Sequence, residues 1–256
     1  MRALVSLFIA LPLFASQPLE TETARLLPAG AAKVEVVAEL QKAHEGTERA
    51  FPLVFEYGLT DRTELTVEPV LGTSIRPRSG QHASGFGDLE ITLTQLLRRE
   101  NGALPAFAVA VETKIPTAHN RLIGTGKADY TGYLIASKKL DRIDLHANLG
   151  YTIIGSPAGT QLKNIIDYAF AEEFHLSPRI DFVGEIIGNT SSTGETVEGA
   201  PATNPTVPPE AAGAEISALL GVRYRATPAL VFALGVSYDN NHAWLIRPGI
   251  TWRFGK

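Results

Sequence analysis

The 256-residue sequence has no cysteine, one methionine and two tryptophans. Without cysteine there is no disulfide framework, no thiolate metal site, no cysteine nucleophile and no lipid-modified N-terminal cysteine. An excess of positive charge is also missing: 23 Lys and Arg stand against 27 Asp and Glu, a formal net charge of -4. That balance argues against nucleic acid as a partner. No apolar run approaches the ~18 residues of a membrane helix, and no segment has a convincing helical period. Yet 45% of the residues are hydrophobic and only 20% charged, too apolar a composition for a disordered chain. The six histidines are scattered without ligand spacing, so no metal site is expected. Gly85-Phe86-Gly87 and Gly124-Thr125-Gly126 precede no helix, so they are strand-entry glycines rather than phosphate loops, and no cofactor is expected.

The N-terminus reads as an address. Arg2, the mostly apolar run Ala3 to Phe14, and the small residues Ala15 and Ser16 ahead of Gln17-Pro18-Leu19-Glu20 match a secretory signal peptide over 1–16. Leu13 and Phe14 make the cleavage site imperfect. Residues 17–32 form an N-terminal segment, either periplasmic or inserted into a lumen, and residues 33–254 the body.

What is present in the body is alternation with period two, the mark of half-buried strands. Val34, Val36 and Leu40 alternate with Glu35 and Glu39. Leu65 and Val67 alternate with Glu64, Thr66 and Glu68. Phe107, Val109 and Val111 alternate with Ala106, Ala108, Ala110 and Glu112. Ile143, Leu145 and Leu149 alternate with Asp144, His146 and Asn148. Trp244, Ile246, Ile250, Trp252 and Phe254 alternate with Arg247 and Arg253. Twelve strands are expected at 33–41, 49–59, 63–72, 86–97, 105–116, 126–138, 142–153, 163–175, 179–190, 214–225, 229–238 and 243–254. Their connections alternate between short turns (Thr60-Asp61-Arg62, Arg98 to Leu104, Lys139 to Asp141, Leu176 to Pro178, Ala226 to Pro228) and mostly longer, Gly- and Pro-rich loops (Lys42 to Glu48, Thr73 to Gly85, Thr117 to Thr125, Ile154 to Leu162, Ser191 to Gly213, Asp239 to His242). Short turns at one end and long loops at the other belong to an up-and-down transmembrane barrel. Tyr57, Phe174, Phe182, Tyr224, Phe232, Trp252 and Phe254 near the short turns, and Tyr151, Tyr238 and Trp244 near the loops, read as two interfacial girdles. The fold class is therefore all-β: a single antiparallel transmembrane β-barrel of about twelve strands. A soluble β-sandwich would also alternate, but has no reason for the loop asymmetry.

Several segments carry a family resemblance. They are Tyr57-Gly58-Leu59-Thr60-Asp61-Arg62-Thr63-Glu64-Leu65, Gly85-Phe86-Gly87-Asp88-Leu89, Lys114-Ile115-Pro116-Thr117-Ala118, Gly124 to Asp129, His146 to Tyr151 and Leu176-Ser177-Pro178-Arg179. In this order, over about residues 30–254, the chain resembles the bacterial outer-membrane family named for the MetA pathway of phenol degradation. The resemblance implies an outer-membrane barrel that transports aromatic or other small compounds. Its partners would be outer-membrane lipid, a small solute and, during biogenesis, the barrel-assembly machinery. One departure is that Gly255 and Lys256 follow the terminal aromatic Phe254.

The polar stripe supplies the candidate lumen residues: Glu35, Glu39, Glu64, Glu68, Asp88, Glu90, Glu112, Asp129 and Asp144, with Lys114, Arg223, Arg247 and Arg253, and with His146 and Asn148. Facing acids and bases could tune the selectivity of a pore, or equally form a satisfied polar plug in a non-conducting structural or adhesive barrel. An envelope hydrolase is a third reading, resting on His146 and Asn148 with Ser137 as the nearest hydroxyl; it requires a serine or an acid within hydrogen-bond reach of His146. On the weight of the pattern no enzyme is expected.

Overall fold

A computed structural model describes residues 19–192 and 213–255. The expected signal peptide and residues 193–212 of the Ser191 to Gly213 loop lie outside the described residues. The strands are β1 (Ala32–Val37), β2 (Glu39–Lys42), β3 (Gly46–Thr60), β4 (Thr63–Pro77), β5 (Ala83–Gly85), β6 (Leu89–Arg98) and β7 (Ala106–Ile115). They continue with β8 (Asp129–Leu140), β9 (Ile143–Ile153), β10 (Ile165–His175), β11 (Ile180–Asn189), β12 (Glu215–Thr227), β13 (Leu230–Asp239) and β14 (Trp244–Phe254). Among the described residues every pairing is antiparallel; all join sequence neighbours except β1–β3 and β4–β6, which step over a short strand, and β14 returns to β1 and β2, so the sheet closes without an edge.

Fourteen elements make twelve barrel strands because two strands are broken, each beside proline. β1 and β2 are halves of one strand, split at Ala38 between Pro248 of β14 and Pro52 of β3, neither of which has an N–H for the ladder. Ala38 instead donates its own N–H to the Pro248 carbonyl at 3.0 Å. β5 and β6 are split where Pro69 ends the β4–β6 ladder. There Gly87 donates to the Val70 carbonyl at 3.0 Å. A Cβ on Gly87 would meet the Val70 Cβ at 2.7 Å, so the close approach requires glycine.

The strands reach further than the alternation implied. β3 and β4 each run 15 residues. Gly46 to Ala50 pairs with Thr73 to Pro77, so the expected loop Lys42 to Glu48 shrinks to residues 43–45. Much of the expected loop Thr73 to Gly85 is likewise sheet, with Thr73 to Ile75 paired to β5. Polar residues fill these extensions, and hydrogen-bonded partners on both sides override their weak strand propensity.

Burial is reversed relative to a soluble protein. Glu35, Glu68, Glu90, Glu112, Asp181 and Arg247 are buried, whereas Leu134, Val111, Leu220 and Trp244 are exposed. Along β1 the pattern puts Lys33, Glu35 and Val37 inside and Val36 outside. Of the girdle aromatics, Tyr57, Phe182, Tyr224, Phe232, Trp252 and Phe254 are exposed toward the short turns, and Tyr151, Tyr238 and Trp244 toward the loops. Phe174 is half-buried, its ring 5.7 Å from the Arg142 guanidinium. Phe86, Tyr130 and Tyr168 add exposed rings at the loop end.

Candidate functional site: the barrel lumen

Residues 19–31 cross the barrel interior as an extended strap. As far as Leu27, several of their backbone N–H groups are met by inward side chains of the wall rather than by strand backbone. Glu20 N–H donates to Glu185 at 2.8 Å, as does the Thr21 hydroxyl at 2.5 Å. Glu22 N–H donates to Asn148 Oδ1 at 2.6 Å, and Asn148 Nδ2 returns a bond to the Glu22 carbonyl at 3.0 Å. Ala24 N–H reaches Ser137 Oγ at 2.8 Å and Leu27 N–H reaches Glu64 at 2.6 Å. At the short-turn end Gly30 N–H meets the Gly58 carbonyl at 2.8 Å, and the strap then enters β1.

Two apolar patches seat the strap. Leu19 packs with Ala171, Val183 and Leu219. Ala24 and Leu26 pack on Leu96, Ala106, Ala108, Ala110, Tyr133 and Ile135. The three alanines of β7 leave a hollow where larger inward residues would collide with the strap. The Tyr133 ring lies over Gly150, where a Cβ would come within 2.5 Å of it. Beside the strap, a crevice lined by Tyr133, Asn148, Asp167 and Ile187 holds about 20 Å³, room for a water rather than a solute.

Glycine also sets the strap's base. A Cβ at Gly58 would sit 2.1 Å from the Pro28 carbonyl oxygen. Gly58→Val is therefore expected to lift the base and open the bond after Arg25 to trypsin, read by mass spectrometry of the N-terminal fragment. A strap as protected as in the parent chain would contradict this packing.

Charge is organised in clusters. At the loop end Lys114 pairs closely with Asp129 and lies 4.0 Å from Asp88; Asp88 accepts the Ala118 N–H at 2.9 Å, and Asp129 the Gly155 N–H at 2.8 Å. Deeper, Arg247 bridges Glu39 of β2 at 2.8 Å and Glu20 of the strap at 2.5 Å. Lys33 bridges Glu35 at 3.2 Å and Glu56 at 2.5 Å. Toward the short turns, Arg25 of the strap reaches Asp144 at 2.8 Å and Glu100 at 3.3 Å. His175 joins Asp144 at 3.1 Å to Asp181 at 2.8 Å, and Arg223 pairs closely with Glu173. The Glu100 carboxyl, in the β6–β7 turn, is pulled down to about 2, first by its hydrogen bond from the Lys138 ammonium. Its folded-state value is depressed, so this hold is complete above the ordinary 4.5 and is lost as pH falls toward about 2.

Of the candidate lumen residues, Glu35, Glu39, Glu64, Glu68, Glu90, Glu112, Lys114, Asp144, His146, Arg223 and Arg247 are buried in the barrel. Asp88, Asp129 and Asn148 are partly buried. Arg253 is exposed at the short-turn rim of β14. Sequence reasoning missed Lys33, Glu56, Asp167, Glu173, Asp181 and Glu185, all buried or partly buried. All six lie inside the expected strands, and reading the same period through Lys33 and along strands 49–59, 163–175 and 179–190 would have found them. No periodicity marks the strap, so its Glu20, Glu22 and Arg25 had no such signal.

His146 does have partners. Ser137 Oγ lies 2.8 Å from its Nδ1 and Glu173 Oε1 3.5 Å from its Nε2. The condition for a hydrolytic reading is met in distance. The chemistry is less favourable, because Ser137 is buried and its oxygen already accepts the Ala24 N–H. Glu173 is held by Arg223, and the Asn148 amide is engaged by the strap backbone. Asp144, Glu173 and His175 lie close enough to hold a metal, but Arg25, Arg223 and Asp181 already occupy their polar atoms.

A closed antiparallel ladder with an ionic interior and an apolar, aromatic-banded exterior defines a transmembrane β-barrel of the outer-membrane type. The family model described as "Putative MetA-pathway of phenol degradation" matches residues 18–254, and the chain belongs to that family. Solved structures share the fold. An outer membrane channel from Pseudomonas putida F1 superposes with a TM-score of 0.69 at 13% identity, covering 90% of this chain and 98% of that one. The NanC porin gives 0.60 at 10% identity, covering 86% and 98%. The KdgM porin in complex with oligogalacturonate gives 0.57 at 9%, covering 87% and 99%. No curated protein matches the chain by sequence.

Proposed function

We propose that this protein is a passive outer-membrane channel for small solutes, aromatic compounds among them, whose bore is narrowed by the N-terminal strap. The observation that carries the reading is the ionic interior. A barrel that only anchored a surface could fill its inside with apolar packing, whereas here most strands turn buried charged side chains inward. In low dielectric such groups are costly unless paired or hydrated, and a hydrated lumen is a solute path. Membership of this family, and the channels and porins that share its fold, support the same class. The lumen residues named above would set selectivity, Lys114 with Asp88 and Asp129 at the loop mouth and Arg247 with Glu39 midway. Ser137–His146–Glu173 serves here as an anchor for the strap, not as a catalytic group. Export through the 1–16 signal peptide and insertion by the barrel-assembly machinery complete the reading.

A second reading, a non-conducting barrel, draws on the strap's filling of the interior. Planar-bilayer recording separates them. Stepwise current from the folded protein is expected. No current and no solute flux, with or without the strap, would leave the plugged structural barrel.

A further inference from the structure

We propose that the acid-rich wall of the lumen binds linear organic cations carrying two or more ammonium groups. This deepens the channel reading and rests on it for access from solution. The buried charge is lopsided. The half of the wall from β1 to β7 buries eight glutamates but only Lys33 and Lys114, with Arg247 of β14 beside them. Glu68 of β4 stands directly opposite Glu90 of β6 in the ladder, a like-charge cross-strand pair that is destabilising while both are ionised and that a bound cation would relieve. On β7, Lys114 stands opposite Glu90, and Glu112 stands opposite Thr92, which donates to it at 3.4 Å.

A second observation comes from the strap, not from the wall. Glu22 is 1% exposed and neither carboxylate oxygen has a hydrogen-bond partner among the described residues. Burial, and after it the charges of Glu112, Glu64 and Glu56, work against ionisation of this group. The strap thus aims an unsatisfied carboxylate into a wall of carboxylates, and a buried group of that kind calls for a positive partner.

Spacing selects the class of cation. Glu64 and Glu68 are four residues apart on one strand, about 13 Å at ~3.3 Å per residue, while Glu68 and Glu90 sit on adjacent strands about 5 Å apart. Among the described residues, this wall offers no three carboxylates whose oxygens lie within 4.8 Å of one another. A single metal ion needs such a compact set, whereas carboxylates strung along a strand match ammonium groups separated by short alkyl chains.

The test uses the full-length protein refolded in detergent, with spermidine and its monoamine analogue butylamine as probes in titration calorimetry. Spermidine is expected to bind and butylamine to bind far more weakly. Glu68→Gln with Glu90→Gln, and separately Glu22→Gln outside the strands, should each weaken spermidine by at least about tenfold. Glu45→Gln in the β2–β3 loop should not. Variants that bind like the parent, or spermidine no tighter than butylamine, would overturn the site. Calcium binding with spermidine indifferent would overturn its chemistry. Bilayer recording keeps the two readings apart: a protein that conducts but ignores spermidine loses the site and keeps the channel, and one that binds spermidine but passes no current does the reverse.

Discussion

Removing residues 17–29 is expected to raise single-channel conductance several-fold while leaving the barrel folded. The strap contributes no strand to the ladder, which closes through β1 and β14 without it. What it does supply is bulk along the axis, together with side chains that tie opposite walls: Glu20 to Arg247, Arg25 to Asp144, and its backbone to Glu185, Asn148, Ser137 and Glu64. These wall groups are polar. Once the strap is gone they turn to lumen water instead of being stranded, and the penalty for unmade hydrogen bonds is small. The apolar seats of Leu19 and Ala24 lose their cover, at a cost of the order of 1–3 kcal/mol for the leucine. Planar-bilayer recording of the truncated and full-length proteins, each checked for the folded band in unheated gels, decides the point. Equal conductance would mean that the solute path does not pass the strap.

Replacing Arg247 with methionine should destabilise the barrel by about 3–5 kcal/mol, the usual result of removing one partner from a buried charge pair. Arg247 is 1% exposed and bridges Glu39 of the closing strand to Glu20 of the strap. Methionine fills comparable volume, so the loss is electrostatic rather than a cavity. It leaves two acids facing each other where the sheet seam is already weakened by Pro248 and the break at Ala38. Adding Glu39→Gln to the same chain should recover part of the loss. Urea unfolding in lipid vesicles measures both. A single variant as stable as the parent would show that the seam does not depend on this bridge.

The fold was legible because its physics is local to each strand. A barrel in lipid must put an apolar side chain at every second position, and that period survives in a single sequence. Ala147, Leu149 and Tyr151 against His146 and Asn148 is an example. The turn asymmetry was legible for a similar reason: short turns need few residues and specific ones. The strand ends were less so. Gly46 to Ala50 and Thr73 to Pro77 have little strand character of their own and become sheet only by pairing with each other.

The interior divided in the same way. Where a strand's alternation was read, parity alone put Glu64, Glu68, Glu90, Glu112, Lys114 and Arg247 on the inward side, where they are buried; it missed inward residues of strands whose period went unread, and it put Arg253 inside although that residue is exposed at the rim. It could not say which of them meet. Glu68 opposite Glu90, His146 between Ser137 and Glu173, and Lys33 between Glu35 and Glu56 depend on the stagger between strands, which is set by closure of the whole ring. Nor did any pattern show that residues 19–31 run through the bore. An extended strap has no periodicity of its own and takes its shape from hydrogen-bond partners more than a hundred residues away, which only the assembled barrel brings together.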